Sequence, residues 1–121
     1  MSAYEWLSYH GKRILYMNLS GITESEVLRE RIAIIEPVVE KEEPSSILCI
    51  CDLSNSRTSP ESTQMLKHFT KHNQPYIKMT SLIGLTGLQK VVYQGVVLFT
   101  GRKNLIIKNT KQEALDWLIE Q

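Results

Sequence analysis

The chain has 121 residues, 42% of them apolar and 22% charged, with 6 glycines and 4 prolines, which excludes a disordered tail, a collagen-like rod and a low-complexity linker. Its 14 basic and 13 acidic side chains leave a formal net charge of +1, so no overall field recruits nucleic acid or an anionic membrane surface. The length suits one domain over residues 1–121, large enough to bury a core without disulfides or metals. Residues 1–10 set Glu5 and polar groups among Tyr4, Trp6 and Leu7, unlike a secretory leader. No run approaches the ~18 apolar residues of an integral membrane span, and the expected location is the cytoplasm.

Residues 3–9 and 13–19 read as strands joined by His10-Gly11-Lys12, a tight hairpin turn. A helix follows from about Glu24, with Leu28, Ile32, Ile35 and Val39 at helical spacing. Thr23 and Glu26 form a capping box at its start, and Pro37 implies a kink or an end near Glu36. Residues 46–53 are apolar on both parities as far as Asp52, the pattern of a central strand covered on both faces. Cys49 and Cys51 within it point the same way, poor geometry for a disulfide, and read as small buried hydrophobes in a reducing compartment.

The second helix, residues 60–72, puts Met65, Leu66, Phe69 and Asn73 on one face and Lys67, His68 and Lys71 outward. Thr58 and Glu61 match its start box, with Ser59 a rival cap that sets Pro60 at the first helical position. Residues 76–83 form a strand with Ile77, Met79 and Ile83 on one side and Lys78 and Thr80 on the other, one face meeting water or an interface. A third helix opens at Thr86 with Gln89, ends at Gly101, and presents Leu88, Val91, Val92, Gly95, Val96 and Phe99 as its buried face. Arg102 and Lys103 then complement its last carbonyls. Residues 105–108 make a brief strand before a final helix, 110–120, opened by Thr110 and Glu113 and burying Ala114, Leu115, Leu118 and part of Trp117. This order calls for an α/β fold: a mixed, mostly parallel sheet with an N-terminal hairpin and four helices.

In such folds ligands gather beyond the carboxyl ends of the strands, where residues 20–23, 52–59 and 84–87 meet. The partner- or ligand-binding residues expected there are Asp52, Ser54, Ser56, Arg57, Thr58, Ser59, Thr86 and Gly87. Asp52 invites comparison with a receiver phosphoacceptor, but the neighbouring strand end Met17-Asn18-Leu19-Ser20 has no carboxylate to share a magnesium ion. Its expected role is to bind local loop N–H groups. The hydroxyls of residues 54–59 are first loop and cap formers, although a phosphate among them would sit at a helix N-terminus beside Arg57. His68 and His72 share a helix face without a third ligand or a metalloprotease glutamate, and read as two solvated histidines. Residues 84–88 lack both a dinucleotide fingerprint and a P-loop lysine, so neither a cofactor, a metal nor an enzymatic role is expected.

The segments Ile47-Leu48-Cys49-Ile50-Cys51-Asp52-Leu53-Ser54, Lys71-His72-Asn73-Gln74-Pro75-Tyr76-Ile77-Lys78, Gly84-Leu85-Thr86-Gly87-Leu88 and Glu113-Ala114-Leu115-Asp116-Trp117-Leu118 resemble the small bacterial SpoIIAA-like proteins. That group belongs with STAS domains and is related in fold to CRAL-TRIO lipid-binding domains. The resemblance covers about residues 14–118. It implies a βα superhelix with helices mainly along one sheet face, and a non-catalytic regulatory or protein-interaction role like that of anti-sigma-factor antagonists. Those antagonists carry a phosphorylatable serine in an Asp-Ser-Ser/Thr-Gly turn. Ser59 is the nearest counterpart here, within Arg57-Thr58-Ser59-Pro60-Glu61, where the preceding acid is absent and a proline follows. A protein partner would dock on the strand-end rim or the second helix, including Lys67 and Lys71, and a homodimer would cover exposed apolar sheet. The CRAL-TRIO kinship implies the alternative, a small apolar ligand or lipid held between the third helix and the sheet. A filled core beside that helix favours the interaction module; a roomy cleft favours the carrier.

Overall fold

A computed structural model describes residues 2–57, 59–100 and 103–121. The hairpin pairs β1 (Tyr4–Tyr9) with β2 (Lys12–Asn18), Tyr9 opposite Lys12, so the turn itself is only His10 and Gly11. Their φ values of 49° and 80° are those of a twisted two-residue turn, which glycine adopts without strain. After α1 (Ser25–Glu40) come β3 (Ile47–Asp52), α2 (Pro60–Asn73) with a 3-10 turn (Gln74–Tyr76), β4 (Ile77–Ile83), α3 (Gly87–Thr100), β5 (Leu105–Ile107) and α4 (Lys111–Leu118). One sheet runs in the order β1-β2-β3-β4-β5, antiparallel in the hairpin and parallel elsewhere. The expected α/β architecture is therefore present, and β3 is central with all six residues buried.

Alternation along the strands divides the core in two. Leu15, Met17, Cys49, Cys51 and Ile77 face α1, α2 and α3, where they meet Leu28, Ile35, Val39, Leu66, Phe69 and Tyr93. Ile14, Leu48, Ile50 and Ile83 face α4 and its Ala114, Leu115 and Leu118. Ala114, fully buried, lets α4 lie close against β3 and β4. Among the described residues no helix is long and apolar enough to cross a membrane.

Several local expectations are corrected. Thr23 does not cap α1; Glu24 occupies the cap without a side-chain bond, and the main chain just before it, at Gly21 and Ile22, is bonded to the next loop. Pro37 does not end α1 near Glu36: the helix runs on to Glu40 with the proline inside it. At α2 the rival cap wins, with Ser59 and Ser62 forming a reciprocal box and Pro60 leading the helix. Thr110 caps α4 as expected, accepting from the Glu113 N–H, whereas the Glu113 carboxylate returns to the Asn109 N–H. In β4 a register shift opposite Ile47 and Leu48 makes Lys78 an extra residue. Ile77, Thr80 and Leu82 consequently share the face toward α3, while Met79 and Ile83 lie on the other.

The largest departure is α3. Leu88 and Val91 are 78% and 63% exposed, and Val92 and Gly95 are also exposed, whereas Tyr93 is only 7% exposed. The helix carries apolar side chains on more than one side, so periodicity alone does not choose the inward face. The described residues on the inward side are Tyr93 and Val97. The side chains of Val96 and Phe99, and Thr58, Gly101 and Arg102 altogether, lie outside the described residues.

Candidate functional site

The strand-end loops meet as the topology requires. The Leu19 N–H donates to the Asp52 carbonyl (3.0 Å), Gly21 to Ser54 (2.8 Å), Arg57 to Ile22 (2.8 Å) and Leu53 to Ile83 (2.9 Å). Gly84 makes this closure feasible: it has φ +82°, and a Cβ there would lie 2.6 Å from the Ser54 Cα. Ser54, Ser56, Arg57 and Thr86 share one open depression, flanked by the apolar Leu88 and Val92. Gly87 begins α3 nearby at φ 54°. Asp52 and Ser59 serve other contacts. The Asp52 carboxylate accepts the Ser54 N–H (2.9 Å), the Ser54 hydroxyl (2.6 Å) and the Tyr16 hydroxyl, holding the loop as its residue type suggested. Burial and that carboxylate push the Tyr16 phenol well above its ordinary range. The Ser59 hydroxyl accepts from the Ser62 N–H at 3.0 Å as the cap of α2.

The two histidines differ. His68 is exposed, but His72 is not simply solvated. Its Nδ1 lies 2.9 Å from the Asn73 Oδ1 and 3.4 Å from the Glu36 carboxylate, and its Nε2 lies 2.7 Å from Glu40. Acceptors at both ring nitrogens favour the imidazolium. The Asn73 bond raises its pKa most, partial burial opposes this, and Glu40 and Glu36 raise it further. This cluster ties α2 to α1.

A second space, which the strand-end rule did not point to, lies between α2, α3 and the sheet. It is a cleft of about 350 Å³. Its floor is Met17, Cys49, Cys51, Thr80 and Leu82; its walls are Leu66 and Phe69 of α2, Tyr93 and Val97 of α3, and Leu105 of the edge strand. Polar groups in the wall are largely satisfied by the protein. Cys49 Sγ and Thr80 Oγ1 lie 3.1 Å apart, the Thr70 hydroxyl donates to the Leu66 carbonyl (2.7 Å), and Asn73 Oδ1 faces His72. Both cysteines are buried and outside any disulfide, and burial pushes the Cys51 thiol far above its ordinary range, so it is an inert part of the wall. Burial, then Cys51, pushes the Tyr93 phenol up to about 12, which leaves it a neutral donor at ordinary pH. Exposed Lys67, Lys71 and Gln74 also line the cleft and so mark its opening.

The sequence held a signal for this space. On the α4 face the central strands carry Leu48, Ile50 and Ile83 beside Ser81, whereas the middle of the other face carries Cys49, Cys51 and Thr80 among Ile47, Ile77 and Leu82. Smaller side chains at successive inward positions leave volume that the helices above must fill, and the described side chains of α3, Tyr93 and Val97 among them, border the space without filling it. Helix periodicity marked Lys67 and Lys71 as outward but gave no indication that a cavity opens between them and the sheet.

A scan against protein-family models and a search of curated proteins each return no match. Among solved structures the chain is similar to an uncharacterized protein from the DUF3478 family with a SpoIIAA-like fold, from Shewanella loihica PV-4. The TM-score is 0.69 at 19% identity, covering 96% of this chain and 92% of that one. The fold is thus SpoIIAA-like, in agreement with the resemblance read from the sequence.

Proposed function

We propose that this protein is a non-enzymatic binding module that holds a small apolar molecule in the cleft between α2, α3 and the sheet. The observation that carries this reading is the cleft itself, about 350 Å³ with a mostly apolar wall in which Cys49 and Thr80 face each other and the Thr70 hydroxyl and Asn73 Oδ1 face protein partners. Small-molecule sites begin at about 300 Å³. Apolar cavities of about 150 Å³ already accept benzene rather than water. Between the two functions the SpoIIAA-like resemblance implied, a roomy cleft supports the carrier.

The direct check is calorimetric titration with 1-decanol. Val97→Phe and Leu105→Trp, which add rings to the wall, are expected to weaken binding at least tenfold while leaving the unfolding midpoint unchanged or raised. Unaltered affinity in both folded variants would overturn the reading. A second reading, a protein-interaction surface or homodimer contact, is supported by the uncovered Leu88 and Val91 beside the strand-end depression. Sedimentation equilibrium tests its self-association form: Leu88→Ser with Val91→Ser should dissociate a dimer, and a wild-type monomer at all concentrations contradicts it.

A further inference from the structure

We infer that the occupant of the cleft is a single-chain anionic amphiphile with a tail of about 8–14 carbons, its tail along the apolar wall and its carboxylate at the mouth between Lys67 and Lys71. This rests on the apolar-ligand reading and adds the head-group chemistry and the tail length.

The charge follows from the lining. Lys67 and Lys71 are four residues apart on α2, so their ammonium groups share one face, and both are exposed while also bordering the cleft. Among the described residues no aspartate or glutamate lines it. The acidic residues approaching the end of α2, Glu36 and Glu40, lie against His72 and tie it to α1. Among the described residues Lys71 makes no ion pair. A positive mouth over an apolar interior matches a molecule with one negative end. The head group stays at the mouth: Cys49, Thr80, Thr70 and the Asn73 Oδ1 face one another or the protein, and the Tyr93 hydroxyl, a single neutral donor in the wall, does not offset the cost of burying a carboxylate.

The tail length follows from volume. A cavity of about 150 Å³ holds the six carbons of benzene, so one of about 350 Å³ holds roughly 14 at the same density, and fewer if the chain is imperfectly packed.

The test uses decanoate, 1-decanol and decylamine, titrated by calorimetry at low salt into the wild-type protein and into the Lys67→Gln/Lys71→Gln variant. Both lysines are exposed, so the variant should fold normally. In the wild type decanoate is expected to bind about tenfold more tightly than decanol, with decylamine weakest. The variant should lower decanoate to the decanol level and leave decanol unchanged. Extending decanoate to dodecanoate should gain roughly another tenfold. Decanol binding as tightly as decanoate, or a decanoate preference that persists in the variant, overturns the anionic head while leaving the apolar reading standing. Absence of binding by all three probes overturns both.

Discussion

Ser59 shows how a single side chain can fix the start of an element. Its hydroxyl accepts the Ser62 N–H, and the Ser62 hydroxyl accepts the Ser59 N–H at 2.8 Å, satisfying donors that would otherwise be orphaned at the head of α2. Ser59→Ala should lower unfolding free energy by about 1 kcal/mol, read from the urea midpoint. An unchanged midpoint would mean that Pro60 and the surrounding loop hold this end without the cap. Ser59 was legible as a cap because Pro60 follows it, but Thr23 was not excluded, since spacing cannot reveal that the Ile22 and Gly21 main chain is engaged by residues 54–57.

His72 carries a pH dependence whose cause is visible in its contacts. Its folded pKa lies above the ordinary 6.5, so it contributes stability fully below pH 6.5 and loses that contribution as pH rises through the raised value. The charged groups facing it are Glu36 and Glu40 of α1, with Lys71 adjacent in sequence on its own helix. Urea midpoints measured from pH 5.5 to 8.5 should fall more steeply for the wild type than for His72→Gln. Parallel profiles would contradict the cluster. This role was invisible in the sequence, because Glu40 is 32 residues away and no local pattern pairs it with His72.

At the scale of elements, α3 and α4 form a contrast. The apolar residues of α4 make one stripe, so Ala114, Leu115 and Leu118 were identified and are buried. The apolar residues of α3 lie on more than one side of the helix, and Leu88, Val91 and Val92, from the stripe with the better spacing, are exposed. Leu118→Ala should therefore cost about 2–5 kcal/mol. Val91→Ser should change unfolding free energy by no more than about 0.5 kcal/mol. A large loss from Val91→Ser would show that this side of α3 is covered, either by the protein or by a second copy. The β4 register was likewise illegible: alternation assigns Ile77 and Met79 to one face, and only pairing with β3 exposes the extra residue.

For the whole molecule, the sheet order was readable because β3 is apolar on both parities and the hairpin, crossovers and caps leave it only one central place. The cleft is a subtler consequence of the same strands. Leu48, Ile50 and Ile83 close the α4 layer, whereas Cys49, Cys51 and Thr80, set among Ile47, Ile77 and Leu82, leave the middle of the other layer short of volume beneath a helix whose Tyr93 is buried. Fold and binding site thus depend on the two faces of one strand pair, β3 and β4. The most direct measurement is an amide chemical-shift titration of the folded protein with 1-decanol. Saturable shifts should concentrate at Cys49, Cys51, Thr80, Tyr93 and Val97; no saturable shift, or shifts confined to residues 54–57 and Thr86, would contradict a ligand site in the cleft.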